Sequence, residues 1–568
     1  MGFRLASAAF IAVFAVYLFL GGMGVTDRGN PEPREAPYNL LARGLLSGHL
    51  YVARDVPPGL EALRDPYDPG ANSPFRDDPR YRLHDFSYYR GRLYLYFGAA
   101  PALLVFIPWH LLTGGWMPHW AAVVLFCSAG VLVNLSLVRA VCRSVFPQAP
   151  PWADAACLLV LGFASYGPLL TARADVWEIP IAAAYLMVSV ALRCLWQAMS
   201  GGARAAWWIA AASAALGVAF ASRPTALVNA AVLLVPLVAA GARQRARDWA
   251  AAVVPIGLCG AAVGAYNALR FGSALDFGQH YQMASVYVER LHTFSASYVR
   301  PNLWLYLLQP VRWSAPFPFA HEPPLSQIRE MLPPGHGGVE QISGLLLYAP
   351  VLWAALAVPV AVRSWGAGRR LAQIAAAAAW VALSSFCLLS FFFGTCSRYQ
   401  FEFAPALALL ACFGIVAIES RPSGAPRTAL RCAWAAALAF SCAFTALYGL
   451  DRCVSDHNRY GVARLAQRDL DGAQAEFNTA SLLSPGNPFS LMGSCLVMEA
   501  QGRTQEARVS LKGIVRDFPG DAMSRFVLAN LLLRTGRREE ALEQYRAALN
   551  LDPADEAFAR GLAAASSH

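Results

Sequence analysis

The sequence predicts a mostly α-helical chain in two parts, a polytopic membrane region of about eleven spans followed by an α-solenoid. Three observations lead there. Of the 568 residues, 57% are hydrophobic and only 14% charged, which is too apolar for an ordinary soluble protein. Up to about residue 450, apolar runs recur at close to the ~20 residues that cross a bilayer, whereas the rest of the chain is polar and charged. In that last part Pro485, Pro519 and Pro553 are spaced by 34, as are Ala473, Ala507 and Ala541, and Phe477, Leu511 and Tyr545.

The first apolar run, Phe3 to Gly22, is long for the core of a signal peptide and is followed by no A-x-A cleavage pattern, so it reads as an uncleaved anchor. Further spans are expected near 119–138, 152–171, 178–198, 205–221, 224–241, 249–269, 342–362, 371–393, 404–418 and 430–450. With the N-terminus cytoplasmic, the inner loops then carry Arg139/Arg143, Arg193/Arg204, Arg243/Arg245/Arg247, Arg363/Arg369/Arg370 and Arg421/Arg427/Arg431. Every inner loop is basic. The segment 94–113 is also apolar, but counted as a span it breaks this pattern. It reads instead as a helix in the outer interface, with Tyr94, Tyr96, Trp109 and His110 at headgroup level and Pro101 near its middle.

An odd number of spans places the C-terminal region outside, which in a bacterial inner membrane is the periplasm. The expected domains are 1–453 in the membrane, with large outer loops at about 23–118 and 270–341, and 454–568 beyond it. The first loop contains "DPYDP" and "FRDDPRYR", whose charges and backbone a bilayer core would not accept. The second is aromatic and Pro-rich, and short interfacial helices over the first loop are expected from it.

A helical hairpin of 34 residues, with small residues at the helix crossing and proline after the second helix, resembles the tetratricopeptide repeat. Gly461, Cys495 and Ala529 fill the small position of the first helix. Three repeats over about 454–556 and a capping helix at Asp555 to Ala565 follow.

Four stretches of the membrane region resemble the C-type glycosyltransferase superfamily (GT-C). "EAPYNLLARGLLSGHLY" resembles its acidic-x-x-Tyr-x-x-Leu-Ala segment after the first span. "HDFSYYRGRLYLYFGAAPALLVFIPWHLLTG" resembles its Asp-x-x-x-Tyr-x-Gly-x-x-Tyr stretch leading into an interfacial helix. "RADVWE" resembles a second acidic site, and "SRYQFEFAPALALLA" the late Arg-Tyr motif opening a closing span. The paired acid usual after the first span is a single Glu35, between Arg34 and Ala36.

The resemblance implies transfer of a sugar from a polyprenyl-phosphate donor to a glycan, lipid or protein acceptor at the outer face. Such transfer needs a carboxylate to take the acceptor proton. Glu35 and Asp85 are the candidates, with Asp27 behind them; each could equally serve as a helix-start or turn acid. The leaving phosphate needs fixed cations or donors. Arg173, Arg223, Arg270 and Arg398 lie at expected outer ends of spans, where the positive-inside rule does not explain them, and the resemblance singles out Arg398 with Tyr399. Snorkelling or local pairing is the alternative.

Asp175 and Glu178 could bind the donor sugar, a divalent cation such as Mg or Mn, or Arg173, or form a helix-start pair. Tyr89, with Tyr88, Tyr94 and Tyr96, could stack on sugars or serve only as an interfacial aromatic. The twelve cysteines form no CxxC pair and no Cys/His zinc spacing; Cys396 and Cys453, both on the outer side, could pair.

The net charge of +10 rests on 46 basic residues of which only Lys512 is lysine, a compositional bias that gives no indication of nucleic acid. Membrane lipids and a protein partner for the repeats are the implied neighbours. Two other classes compete: a lipid-linked-sugar transporter or flippase, and a membrane-anchored scaffold for envelope assembly. Charges lie only near the ends of the expected spans, whereas a coupled transporter keeps ionisable groups inside them.

Overall fold

A computed structural model describes residues 2–25, 32–78, 80–240, 246–323, 328–365 and 368–566. Asp27, Arg243 and Arg245 lie outside the described residues. The chain divides into two compact units, one of residues Met1–Pro310 and Leu332–Gly449, the other of Val311–Met331 and Leu450–His568.

Among the described residues, seven helices are long and apolar enough to cross a membrane: Gly2–Met23, His119–Val145, Glu178–Ala198, Ala205–Ser222, Ala246–Phe271 and Gly368–Ser390 in the first unit, and Ala425–Ala466, which runs from the first unit into the second. The protein is an integral membrane protein. The other four expected spans are shorter or broken helices. Over 152–171, Ala153–Leu159 gives way to a π turn at Val160–Ala164, and a new helix starts at Gly167. Pro168 supplies no N–H and disfavours helical geometry in the residue before it. The Gly162 carbonyl in that turn accepts the Tyr17 hydroxyl at 2.6 Å, which satisfies a buried backbone acceptor. Pro224 and Pro350 likewise open 3-10 segments, Pro224–Leu233 and Pro350–Leu356, before the α-helices resume. Ala404–Glu419 is unbroken, apolar and buried on almost all sides, as a central helix should be.

The first long loop folds into a turn at Pro33–Glu35, helices Pro37–Leu46 and Pro69–Arg76, and a hairpin of Phe86–Tyr89 with Arg92–Leu95. Asp68 caps the second helix by accepting from the Gly70 and Ala71 amides. The hairpin closes on Arg90 and Gly91, both at positive φ, the geometry of a tight two-residue turn. The segment 94–113 therefore differs from the expected single helix. Tyr94 belongs to the hairpin, and the helix runs from a π turn at Ala102–Phe106 through Ile107–Thr113. Pro101 stands at its start rather than its middle, where a missing N–H costs nothing.

The start of the second long loop pairs with the first. The Asp85 amide donates to the Met283 carbonyl and the Met283 amide to the Phe86 carbonyl, each at 2.9 Å. Ser87 bridges to Gln282. Farther along, Gly338–Glu340 forms a parallel pair with Gly394–Cys396, Glu340 opposite Cys396. Among the described residues no cysteine forms a disulfide, Cys396 and Cys453 included.

In the second unit, three helical hairpins follow one another: the end of Ala425–Ala466 with Leu470–Leu483, Pro488–Ala500 with Thr504–Asp517, and Ala522–Arg534 with Arg538–Leu551, with Glu556–Ser566 as the cap. The repeat columns are its core. Ala473, Ala507, Ala541, Phe477, Leu511, Tyr545, Cys495 and Ala529 are all buried. Gly461 has no side chain because a Cβ there would come within 2.7 Å of the Phe477 ring. The segment Val311–Met331 belongs to this unit and is tied to it by His321 Nδ1 and Asp451 at 2.7 Å and by Arg459 and Glu322 at 3.1 Å.

Candidate active site

Three of the five acids expected at the outer face, Glu35, Asp85 and Asp175, line one small cavity of about 20 Å³, with Arg54, Arg82 and His84 beside them. Glu35 and Arg54 also border a wider cleft of about 510 Å³ with Arg43, Asp55, Arg80 and Tyr81. A closed carboxylate chamber thus adjoins an open one large enough for a sugar.

The two candidate bases differ in their partners. Glu35, in the turn before helix Pro37–Leu46, pairs with Arg43 Nη1 at 2.9 Å and Arg54 Nη2 at 3.3 Å. Two cations neutralise it. Asp85 sits at the mouth of the hairpin with φ of +65°, a conformation that Asp tolerates better than most residues. It accepts from Trp177 Nε1 at 2.7 Å and Gln282 Nε2 at 2.6 Å. These donors are neutral and orient the carboxylate; His84 Nε2 stands 3.5 Å from Oδ1 and offsets its charge only when protonated. Burial, and after it the charge of Asp85, pushes the Tyr96 phenol well above its ordinary range.

Trp177 joins this chamber to a cationic group. Its ring lies 4.6 Å from the Arg173 guanidinium carbon and 5.5 Å from that of Arg398. Both arginines meet the Glu340 carboxylate, Arg398 Nη1 at 2.6 Å, and both lie 3.9 Å from Glu178. Burial opposes the charge on Arg398, yet the groups around it, Cys396 and Glu340 first, hold the guanidinium above its usual range.

Asp175 and Glu178 close the helix start. Asp175 Oδ1 accepts from the Val176 amide at 2.7 Å, and Glu178 Oε2 from the Asp175 amide at 3.2 Å. Glu178 faces the guanidiniums of Arg173 and Arg398. Among the described residues no three His, Cys, Asp or Glu side chains gather as a metal site.

The remaining arginines and tyrosines separate. Arg223 pairs with Glu402, whose other oxygen accepts from Thr225 at 3.1 Å. Tyr399 lies between Arg223 and Arg398, 5.2 Å from each. Arg270 donates to the Leu95 carbonyl at 3.0 Å and to Asn267 at 2.7 Å while its guanidinium covers Tyr266. It braces the hairpin and belongs to neither cluster, which is the local-pairing alternative. Tyr89 packs on Tyr281 at 4.4 Å between ring centres, outside the carboxylate cavity.

Trp177, Gln282 and Glu340 escaped the sequence reading. Trp177 sits inside a stretch noted for its acids, and its indole N–H was a signal that went unused. Gln282 and Glu340 are isolated polar residues in a long loop and carry none.

A tetratricopeptide-repeat family model matches residues 498–565. The C-terminal hairpins are tetratricopeptide repeats. No curated protein matches the chain. Among solved structures, ArnT from Cupriavidus metallidurans bound to undecaprenyl phosphate is 16% identical over 90% of this chain and 80% of its own, with a TM-score of 0.40. AglB from Archaeoglobus fulgidus, in complex with an inhibitory peptide and a dolichol-phosphate, is 11% identical over 78% of this chain and 55% of its own, at 0.37. Yeast Tom70 is 10% identical over 74% of this chain, at 0.19. None of these likenesses assigns a role to a residue of this protein.

Proposed function

We propose that this protein is a membrane glycosyltransferase that moves a sugar from a polyprenyl-phosphate donor to an envelope glycan, lipid or protein acceptor on the outer face. One observation carries the reading: a chamber of carboxylates and a pair of buried arginines meet on the two sides of a single indole, Trp177. An acceptor that reaches from the wide cleft past Glu35 and Arg54, which line both cavities, loses its proton to Asp85 as its oxygen or nitrogen attacks the anomeric carbon. The anomeric carbon–oxygen bond to phosphate breaks, and the freed polyprenyl phosphate takes the bonding electrons. Arg398 and Arg173 hold that charge.

Asp85 is preferred to Glu35 as the base because its hydrogen-bond partners, Trp177 and Gln282, are neutral. Glu35 then orients the acceptor together with Arg54. On this reading the protein spans a bacterial inner membrane with its N-terminus in the cytoplasm and its repeats in the periplasm. There the repeats bind the acceptor or a protein partner. A groove of about 530 Å³ in the repeat unit, bordered by Arg312, Arg459, Asp517 and Asp521, suits that role.

The test compares envelope glycans, lipid-linked sugars and periplasmic glycoproteins by mass spectrometry. A deletion strain is set beside strains restored with wild type, Glu35→Gln or Asp85→Asn. A glycan lost on deletion, regained with wild type and not with Asp85→Asn, is the expected result. Full recovery with both variants removes the transferase reading.

A further inference from the structure

We propose that Glu340 is an internal stand-in for the donor phosphate, seated on Arg173 and Arg398 until a phosphate ester displaces it. The inference rests on the reading of these two arginines given above and adds to it a residue that sets how tightly they hold their ligand.

The geometry is that of an occupied anion site. One oxygen of Glu340 meets Nη1 of both arginines, so a single acceptor atom lies where two guanidiniums converge. The arginine side chains are 18% and 13% exposed, whereas Glu340 is 43% exposed. The cations are therefore fixed in the wall and the carboxylate reaches them from the open side. Trp177 packs under both cations and Glu178, 1% exposed, stands 3.9 Å from each. Those contacts persist if Glu340 swings away.

Charge explains why an occupant is needed. Two guanidiniums in a largely desolvated place carry positive charge that is costly without an anion against it. Glu340 cancels it. A phosphate ester cancels it as well, and with more oxygens it can engage both forks at once, the pairing for which guanidinium is best suited. Glu340 is held by its backbone, in the short strand Gly338–Glu340 beside Gly394–Cys396, so exchange needs only a side-chain rotation. When the sugar has left, the same carboxylate competes with the product phosphate and speeds its release.

An occupant present nine-tenths of the time weakens apparent affinity about tenfold. Equilibrium binding of undecaprenyl phosphate to the full-length protein in detergent, at fixed ionic strength, reads this directly. Glu340→Gln and Glu340→Ala are expected to tighten binding about tenfold, Glu340→Asp to stay near wild type, and Arg398→Gln to lose binding. In turnover the Gln variant should show a lower donor KM, a lower kcat and stronger inhibition by added undecaprenyl phosphate.

Inorganic phosphate is measured in parallel. If it binds as tightly as the lipid, the site is one for free phosphate and the donor assignment is overturned. If Glu340→Gln and Glu340→Ala bind no tighter than wild type while Arg398→Gln loses binding, the stand-in is wrong and the phosphate site stands. The stand-in also falls if neither of these two variants accumulates as folded protein, because the carboxylate is then structural. If wild type binds neither ligand, the phosphate reading itself fails.

Discussion

The indole Nε1 of Trp177 donates to Asp85 Oδ2 across 2.7 Å, and this bond ties the first outer loop to the start of the helix Glu178–Ala198. It fixes the orientation of a carboxylate whose backbone is already held by Met283. Trp177→Phe keeps most of the ring and removes the donor. A fall in kcat of about ten- to a hundredfold is expected, against about 10²–10⁴-fold for Asp85→Asn. Thermal unfolding in detergent should leave Trp177→Phe close to wild type. Equal loss of stability and activity would instead make the bond structural.

Arg223 and Glu402 form an ion pair with side chains only 16% and 10% exposed. Removing one partner strands the other charge, at a cost of about 3–5 kcal/mol. Arg223→Leu should therefore lower the unfolding temperature markedly, and the double variant Arg223→Leu/Glu402→Leu should recover much of the loss. A double-mutant cycle on the melting curves measures the coupling.

In the repeats, Phe477 is fully buried and faces Gly461 and Gly493, where an added Cβ would lie 2.7 and 2.2 Å from its ring. Phe477→Ala should cost about 3–5 kcal/mol and Gly461→Ala about 1–3 kcal/mol through overpacking. Limited proteolysis of the whole protein should show cleavage within the repeats of either variant before the membrane unit is cut. Pairing Gly461→Ala with Phe477→Leu should restore protection.

His336 reports on acid. Its Nδ1 accepts from the Gly338 amide at 3.1 Å, so its Nε2–H donates to Asn302 Oδ1 at 3.1 Å, which is the neutral tautomer. Burial pulls its pKa from 6.5 to about 4. Because the folded value is depressed, the unfolded chain binds the proton first. Stability is full above pH 6.5 and falls as the pH drops towards 4, by at most about 1.4 kcal/mol per unit for this one group. Chemical denaturation across that range should show a shallower fall in His336→Gln.

The broad architecture was legible because its signals are local. Apolar runs marked every membrane helix. The period of 34 placed each repeat helix, down to the small residue at position 461. The breaks were harder to see. Runs such as 152–171 are uniformly apolar, and only the packing of Tyr17 against a π turn reveals that the helix is interrupted. Likewise 94–113 is apolar throughout, but residues up to Leu95 pair with Phe86–Tyr89 across a turn, and hydrogen bonding between strands leaves no mark in hydropathy.

Chemical type was likewise a property of the sequence by itself. Carboxylates outside the expected spans and arginines unexplained by topology made Glu35, Asp85, Asp175, Glu178, Arg173, Arg223, Arg270 and Arg398 the candidates. Their grouping was decided by tertiary structure alone. Arg270 turned to the Leu95 carbonyl while Arg173 and Arg398 converged, although all three look alike in sequence. A side chain's partners are set by whichever donors and acceptors folding brings within 3 Å. For Asp85 these were Trp177 and Gln282, and for the two arginines Glu340, all from distant parts of the chain.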